Sequence, residues 1–461
     1  MAYRIFYNLY LSPLNRFPGP RLNAATSLPF DIASVRGNAH HELKSLHEKY
    51  GPIVRVRPNE LSNIQGGVWK DAYGHRSGHP EWPKGDSVTY ANGVKGITSS
   101  ELDDHRRFRR SLHYAFSKSG LRDQEPRIQH YINLLLRYLT QKCDSDPIDI
   151  MAWFSWTTTD IIGDLAFGDN FQCLEKQVEN FWMASILKVM RPALWIGILQ
   201  RWGLGAFALV LLPRKIIHGL LENDHFVGEK LRKRVVLGKD RGDFLDYVLK
   251  HDLVNTESKH WYKAESSKGG EEDMGFTFEE LKSITSDILT AGSESMATVL
   301  TGIVFNLIRN PMVYAKVTGE IRCKFARDED ICFKTTSPPA LPYLTGVIKE
   351  SIRHYTAAPL FSGRVVPNYA DGGDTFDGYR LPAGTRVTAA PVVAFQSSYN
   401  FSRPDSFVPE RWFPVGNGRP EEFDNDNHDA FLPVCYGVII SIFGQNKTSN
   451  KISSPTVRGI A

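Results

Sequence analysis

The chain has 461 residues, 42% of them hydrophobic and 23% charged, an ordinary globular composition with enough apolar material for a large core. Its 55 basic and 51 acidic residues leave a formal charge of only +4, which gives no footing for a nucleic-acid partner. Five scattered cysteines (Cys143, Cys173, Cys323, Cys332, Cys435), odd in number and without a CxxC pair, argue against a disulfide framework or a zinc site and for reduced thiols.

No stretch of about 18 uncharged apolar residues occurs, so no spanning helix is expected. Residues 1–14 (MAYRIFYNLYLSPL) are aromatic and amphipathic but too short to span, and Pro18-Gly19-Pro20 then breaks the chain. Residues 52–64 alternate apolar and polar side chains and predict a hairpin turning at Pro58-Asn59. From about 100 to 310 the pattern is mostly helical. Residues 102–117 form a basic helix with Arg106, Arg107, Arg109 and Arg110, and 128–142 and 149–167 carry apolar faces. Residues 202–213 (WGLGAFALVLLP) are expected in the core rather than at a membrane surface.

The clearest helix starts at Thr277, which has capping-box spacing to Glu280, and its apolar period runs to Asn310, where Pro311 stops it. Such a helix spans on the order of 50 Å and should run through the middle of a large domain. Residues 341–355 predict a shorter helix. Strand-like pieces follow at 362–367, 376–381 and 385–393, with turns at Gly372-Gly373 and Pro382-Ala383-Gly384. The fold class is therefore mainly α with a minor β region. One domain is expected over 21–437, after a hinge at 1–20 and before an off-pattern, disordered tail at 438–461. Asn400-Phe401-Ser402 and Asn446-Lys447-Thr448 have the form of glycosylation sequons, which matter only in a secreted chain.

Two places carry chemistry. Ala291-Gly292-Ser293-Glu294-Ser295 puts a glycine, an acid and hydroxyls inside the long helix, where Gly costs about 1 kcal/mol relative to Ala. Either Gly292 lets a flat ligand lie close to the backbone while Glu294 relays protons and the Ser295 hydroxyl bonds a helix carbonyl or a bound small molecule, or the glycine is a packing notch against another helix. Glu350 and Arg353 share a helix face at i, i+3 among apolar neighbours, which predicts a partly buried pair, and Arg411 of Pro409-Glu410-Arg411-Trp412 can add a second guanidinium.

Taken together and in order, YNLYLSPLNRFPGP, DHRRFRRSLHYAFS, FSWTTTDIIGDLAFGDNF, AGSES, LPYL with its ExxR helix, and NFSRPDSFVPERW resemble the cytochrome P450 family. The resemblance covers roughly residues 5–437 and is nearest to fungal secondary-metabolite hydroxylases of the isotrichodermin C-15 hydroxylase type. It implies a haem-thiolate monooxygenase with a heme b cofactor, O2, a lipophilic small-molecule substrate, an NADPH-cytochrome reductase partner and an endoplasmic-reticulum location. It also implies roles. Glu294 and Ser295 would relay protons, with serine where the family usually has threonine. His105, Arg109 and Arg364 would bind the haem propionates, and Glu350, Arg353 and Arg411 would form a structural ion network. For His105 and Arg109 a solvated basic face is the other reading.

The resemblance fails at the haem loop. Phe431 to Gly437 align with its start, but the thiolate position falls on Ser441 and the arginine position on Ile439, and Cys435 sits six residues too early. A P450 fold lacking its C-terminal part, without a metal ligand in this chain, is the expectation. The open alternatives are an impaired monooxygenase and a catalytically inactive or ligand-binding remnant. No clear anchor precedes the YNLY segment, so a cytoplasmic or peripheral membrane placement is the alternative location.

Overall fold

The computed structural model of the chain describes residues 2–85, 93–113, 115–142, 147–204, 213–238, 241–252, 276–336, 340–358, 360, 362–369 and 372–433. The N-terminal aromatic segment is helical: α1 (Ala2–Phe6) runs into a π turn at Tyr7–Leu11. Three helices then precede the first strand, α2 (Arg21–Ala25), α3 (Leu28–Val35) and α4 (Ala39–Tyr50).

The hairpin at 52–64 forms as expected, β1 (Ile53–Arg57) pairing antiparallel with β2 (Glu60–Asn63) about the Pro58-Asn59 turn. The helical middle comprises α5 (Leu102–Leu112), α6 (Lys118–Lys142), α7 (Ile150–Phe167), α8 (Cys173–Lys176), α9 (Phe181–Arg201), α10 (Arg214–Val236) and α11 (Phe244–Asp252). α5 stops at Leu112, five residues before the expected end. α6 begins ten residues before its expected start and carries Pro126 inside it. α7 keeps its expected limits for a visible reason. The Asp149 carboxylate accepts the Met151 and Ala152 N–H groups at its start, and Gly168 adopts φ 67° at its end.

The long helix α12 (Phe278–Arg309) has the full capping box, with Thr277 Oγ1 accepting from Glu280 N and Glu280 accepting from Thr277 N. α13 (Pro311–Lys324) follows at once, then α14 (Pro342–His354), β3 (Arg364–Val365), β4 (Gly373–Phe376), β5 (Tyr379–Pro382), β6 (Arg386–Ala389) and α15 (Pro391–Phe395). The expected strand at 376–381 instead straddles a tight β4–β5 turn, in which Asp377 (φ 48°) and Gly378 (φ 75°) are both left-handed. The expected strand at 385–393 ends at Ala389, because Pro391 opens α15.

The main sheet has the order β1-β2-β6-β3. β2 runs parallel to β6, with Leu61 opposite Val387, so residues more than 300 positions apart close it. α12 packs most extensively on α7, and Ile162, Leu165, Ile284, Ile288 and Leu289 form the heart of the helical core with Trp182. Each such side chain contributes roughly 1.5–3 kcal/mol by leaving water. Among the described residues α12 is the helix long and apolar enough to cross a membrane by length and composition, but here it lies between α7, α10 and α14.

Two smaller expectations concern Asn400 and residues 202–213. Asn400 is buried, and its amide donates to the Ile64 and Ala394 carbonyls at 2.7 and 3.0 Å, so it is a structural amide. Of 202–213, Trp202 is part-exposed and its indole N–H bonds Asp31 at 2.9 Å. Residues 205–212, like Asn446 and the 438–461 tail, lie outside the described residues.

Candidate functional site

Glu350 and Arg353 leave α14 on the same side, and the segment after α15 folds across them. Arg353 grips Glu350 through Nε and Nη2, both at 2.9 Å. Arg411 Nε adds a bond at 3.0 Å, the Val408 N–H another at 3.0 Å, and the Trp412 indole N–H a fifth at 2.9 Å. Asp426 accepts from the far side of Arg411 at 2.5 Å. The remaining Arg353 donors reach the Phe395, Pro404 and Ser406 carbonyls, and Arg411 reaches that of Ser402. Glu350, Arg353, Arg411 and Asp426 side chains are all 0% exposed, so the pair expected to be partly buried is fully buried.

Two guanidiniums and two carboxylates make this lattice neutral, and nearly every donor has an acceptor, which is what a buried ion cluster needs. Burial pushes the Glu350 carboxyl up, but Arg353, Arg411 and the Val408 N–H outweigh it and hold it below the ordinary carboxylate range. Gly346 makes the crossing possible, since a Cβ there would stand 2.7 Å from the Pro409 carbonyl. Asp426 and Trp412 were not anticipated. Asp426 sits in a polar run (EEFDNDNHD) that gives no signal for one buried acid. The lattice also aims the chain beyond it, because the Phe431 ring packs 4.4 Å from Trp412 and 5.0 Å from Phe395.

Along α12, Glu294 turns toward α7 and accepts from Ser155 Oγ at 3.1 Å, whereas the Ser295 hydroxyl donates back to the Ala291 carbonyl. The two residues expected to act together are thus adjacent but make separate bonds. Gly292 faces α7, where an added Cβ would meet Ile162 Cδ1 at 2.6 Å. The glycine is a notch for helix packing, and Thr158 Oγ1 uses the same closeness to bond the Ser293 carbonyl at 3.0 Å.

On α5 the charges divide. Arg106 and Arg110 are exposed, whereas His105 and Arg109, one turn apart, share a half-buried inner face. Burial lowers the Arg109 pKa, with Glu81 acting against it. Arg364 on β3 is also lowered by burial, and it too feels Glu81, so α5 and β3 converge on the segment around Glu81. Arg364 donates to the Trp82 carbonyl at 3.5 Å and lies over the Tyr73 ring at 5.2 Å. Neither Arg109 nor Arg364 forms an ion pair among the described residues.

A family model matches residues 18–438, and that model is cytochrome P450. The chain belongs to the cytochrome P450 family. Averantin hydroxylase of Dothistroma septosporum is 36% identical over 94% of this chain and 77% of its own length. Versicolorin B desaturase of Aspergillus parasiticus is 34% identical over 95% and 84%. Trichothecene C-15 hydroxylase of Fusarium sporotrichioides is 33% identical over 94% and 83%. These are P450 monooxygenases of fungal secondary metabolism, and membership makes this chain an oxidoreductase by descent, with a haem cofactor, O2, a reductase to deliver electrons and a lipophilic substrate.

The described residues fit that cofactor at one end. Haem carries two carboxylates, and half-buried cations without acid partners suit them. No described cysteine matches a proximal iron ligand. Cys173 is buried on α8, with its thiol pushed up to about 12 by burial and then by Asp160, Cys323 is exposed on α13, and Cys332 bonds Thr335 in a loop. Cys435 and Ser441 lie outside the described residues. Among those described, no group of three His, Cys, Asp or Glu side chains could hold a metal ion.

Proposed function

We propose that this P450 descends from hydroxylases of lipophilic secondary metabolites and that the present polypeptide is impaired in oxygen activation, because Ser441 stands where the family has its iron-binding cysteine. The observation that carries the first half is the neutral, fully buried Glu350–Arg353–Arg411–Asp426 lattice together with the half-buried Arg109 and Arg364. Relatives named for hydroxylation of averantin and of a trichothecene C-15 position support a lipophilic small-molecule substrate.

Bound haem supplies the oxygen chemistry, and a sulfur ligand on its iron favours O–O cleavage. The protein's own residues act around that group. Arg364, Arg109 and His105 hold its carboxylates, and the lattice fixes the direction of the chain at Phe431. Glu294, which accepts a hydrogen bond from Ser155, would pass protons, and Ser295 keeps the hydroxyl of the usual threonine. A serine hydroxyl stays protonated near neutral pH and is a poor iron ligand, which supports the impaired reading and, failing that, a ligand-binding protein without thiolate-bound haem. We further propose peripheral membrane contact through the exposed Tyr3, Phe6, Tyr10, Leu11 and Trp195, at the endoplasmic reticulum where the family works.

The CO difference spectrum of the reduced, hemin-loaded protein tests the reading. The expected result is haem uptake without a thiolate-type band and no NADPH-dependent hydroxylation with reductase. A thiolate-type band, or turnover, refutes the impairment.

A further inference from the structure

Five arginines are buried among the described residues: Arg55, Arg57, Arg234, Arg353 and Arg411. Four of them face a carboxylate within 3.0 Å. Arg55 is the exception. Its guanidinium donates to the Asn8 carbonyl at 2.9 Å, the Ser12 hydroxyl at 3.3 Å and the Pro58 carbonyl at 2.7 and 3.2 Å, and to no carboxylate among the described residues. Those four bonds occupy all but one of its five N–H donors, yet every acceptor is neutral. Burial lowers the Arg55 pKa, and no acid among the described residues acts against it. A buried charge without a counter-ion is costly, so the place where Arg55 sits needs an explanation.

Arg55 lines a cavity of about 430 Å³, within the roughly 300–1,000 Å³ of small-molecule sites. The Pro18-Gly19-Pro20 break shapes it by laying the chain against β1. The Arg55 N–H donates to the Pro18 carbonyl at 2.8 Å, and a Cβ on Gly19 would stand 2.5 Å from the Arg55 carbonyl oxygen. Buried Phe17 shares the lining with exposed Tyr10, Asn15 and Arg21, so the cavity opens to solvent. Arg21 brings a second cation that has no ion pair among the described residues, and none of the described residues lining the cavity is acidic. The same N-terminal segments expose Tyr3, Phe6, Leu11 and Leu22.

We propose that this cavity binds the phosphate of an anionic membrane lipid, with Arg55 as the buried cation, Arg21 as the exposed one and the aromatic N-terminal segment against the acyl region. The proposal rests on the peripheral membrane contact inferred above and names the lipid chemistry that orients it. Guanidinium forks match phosphate oxygens, and the negative charge supplies the counter-ion that Arg55 lacks. A lipid fits better than a soluble phosphate, because Leu9, Tyr10 and Phe17 share the wall and the opening lies on the segment with exposed aromatic side chains.

The test is co-sedimentation of the purified full chain with vesicles of phosphatidylcholine alone and of phosphatidylcholine with about 20% phosphatidic acid, at fixed salt. Wild type should bind the anionic vesicles at least about tenfold more tightly, and Arg21→Gln should lose most of that gain. Arg4→Gln removes an exposed charge from the same N-terminal segment without touching the cavity lining, and it should lose only the few-fold share of one diffuse surface charge. Equal losses in the two variants overturn the site. Arg55→Lys should keep part of the gain and Arg55→Met none. Circular dichroism checks that these two variants fold, and Arg21→Gln carries the test if they do not. Wild type that binds both vesicles equally overturns the lipid site and leaves the peripheral contact standing, whereas wild type that binds neither overturns both. Soluble glycerol phosphate supplies the remaining arm. If it raises the melting temperature of wild type but not of Arg21→Gln, while anionic vesicles gain nothing over phosphatidylcholine, the cavity takes a soluble phosphate and the lipid assignment falls.

Discussion

Replacing Glu350 by glutamine keeps the size and one acceptor of the side chain but removes one of two anions facing two buried guanidiniums. Each Glu350–guanidinium contact has N–O distances of 2.9–3.0 Å. At charge separations near 4 Å and an effective dielectric of about 20, each is worth roughly 4 kcal/mol of Coulomb energy. Desolvation consumes much of that while the pair is intact. Once one partner is gone, the same desolvation is uncompensated, and breaking buried pairs costs about 3–5 kcal/mol. Glu350→Gln also points an amide N–H at a guanidinium or the Trp412 indole. We therefore expect a loss of about 3–5 kcal/mol, a large share of a typical total of 5–15 kcal/mol, read from urea unfolding followed by circular dichroism. The pH dependence fixes the mechanism. The Glu350 carboxyl is held below its ordinary 4.5, so its contribution is present above that value and is lost as pH falls through the lower folded-state value. The variant should lose part of the wild-type acid sensitivity below about pH 4.5. A loss under about 1 kcal/mol with an unchanged acid limb would refute the claim that the lattice depends on charge balance.

Two further substitutions address the long helix. Gly292→Ala drives a Cβ to within 2.6 Å of Ile162 Cδ1 and should cost about 1–3 kcal/mol as overpacking, with part recovered by adding Ile162→Val, which deletes Cδ1. Urea midpoints of the single and double variants decide, and an absence of coupling rules out the notch. Asp287→Ala frees the Thr98 N–H and hydroxyl and should loosen the loop by roughly 1.5–3 kcal/mol, seen as faster hydrogen exchange at 94–100. Unaltered exchange there would mean that something other than Asp287 holds the loop.

What sequence alone conveyed about the fold follows from what is local. α12 was legible to its first residue because its start is coded by Thr277 and Glu280 and its end by Pro311. The 52–64 hairpin was legible because its turn and alternation lie within thirteen consecutive residues. The C-terminal strands were placed less well for the converse reason. β6 is held by β2 across 326 positions, from Glu60 to Arg386, and by β3, and no local period announces where such pairing stops. The Asp377-Gly378 turn was a local signal, and a continuous apolar reading of 376–381 passed over it.

The site divides along a different line. Glu350 and Arg353 were legible because one helix turn sets them side by side, whereas Asp426 joins them only when a distant segment arrives. Charge accounting then separates the two regions by role. In the lattice the anions Glu350 and Asp426 match Arg353 and Arg411, every main contact is internal, and the cluster asks for nothing from outside. Beside β3, Lys84 and Arg364 are paired across an antiparallel bridge, and Asp287 and Glu81 act on them from a distance without forming an ion pair to either among the described residues. A protein keeps such a pairing at a cost in stability, since half-buried like charges repel and shed solvent.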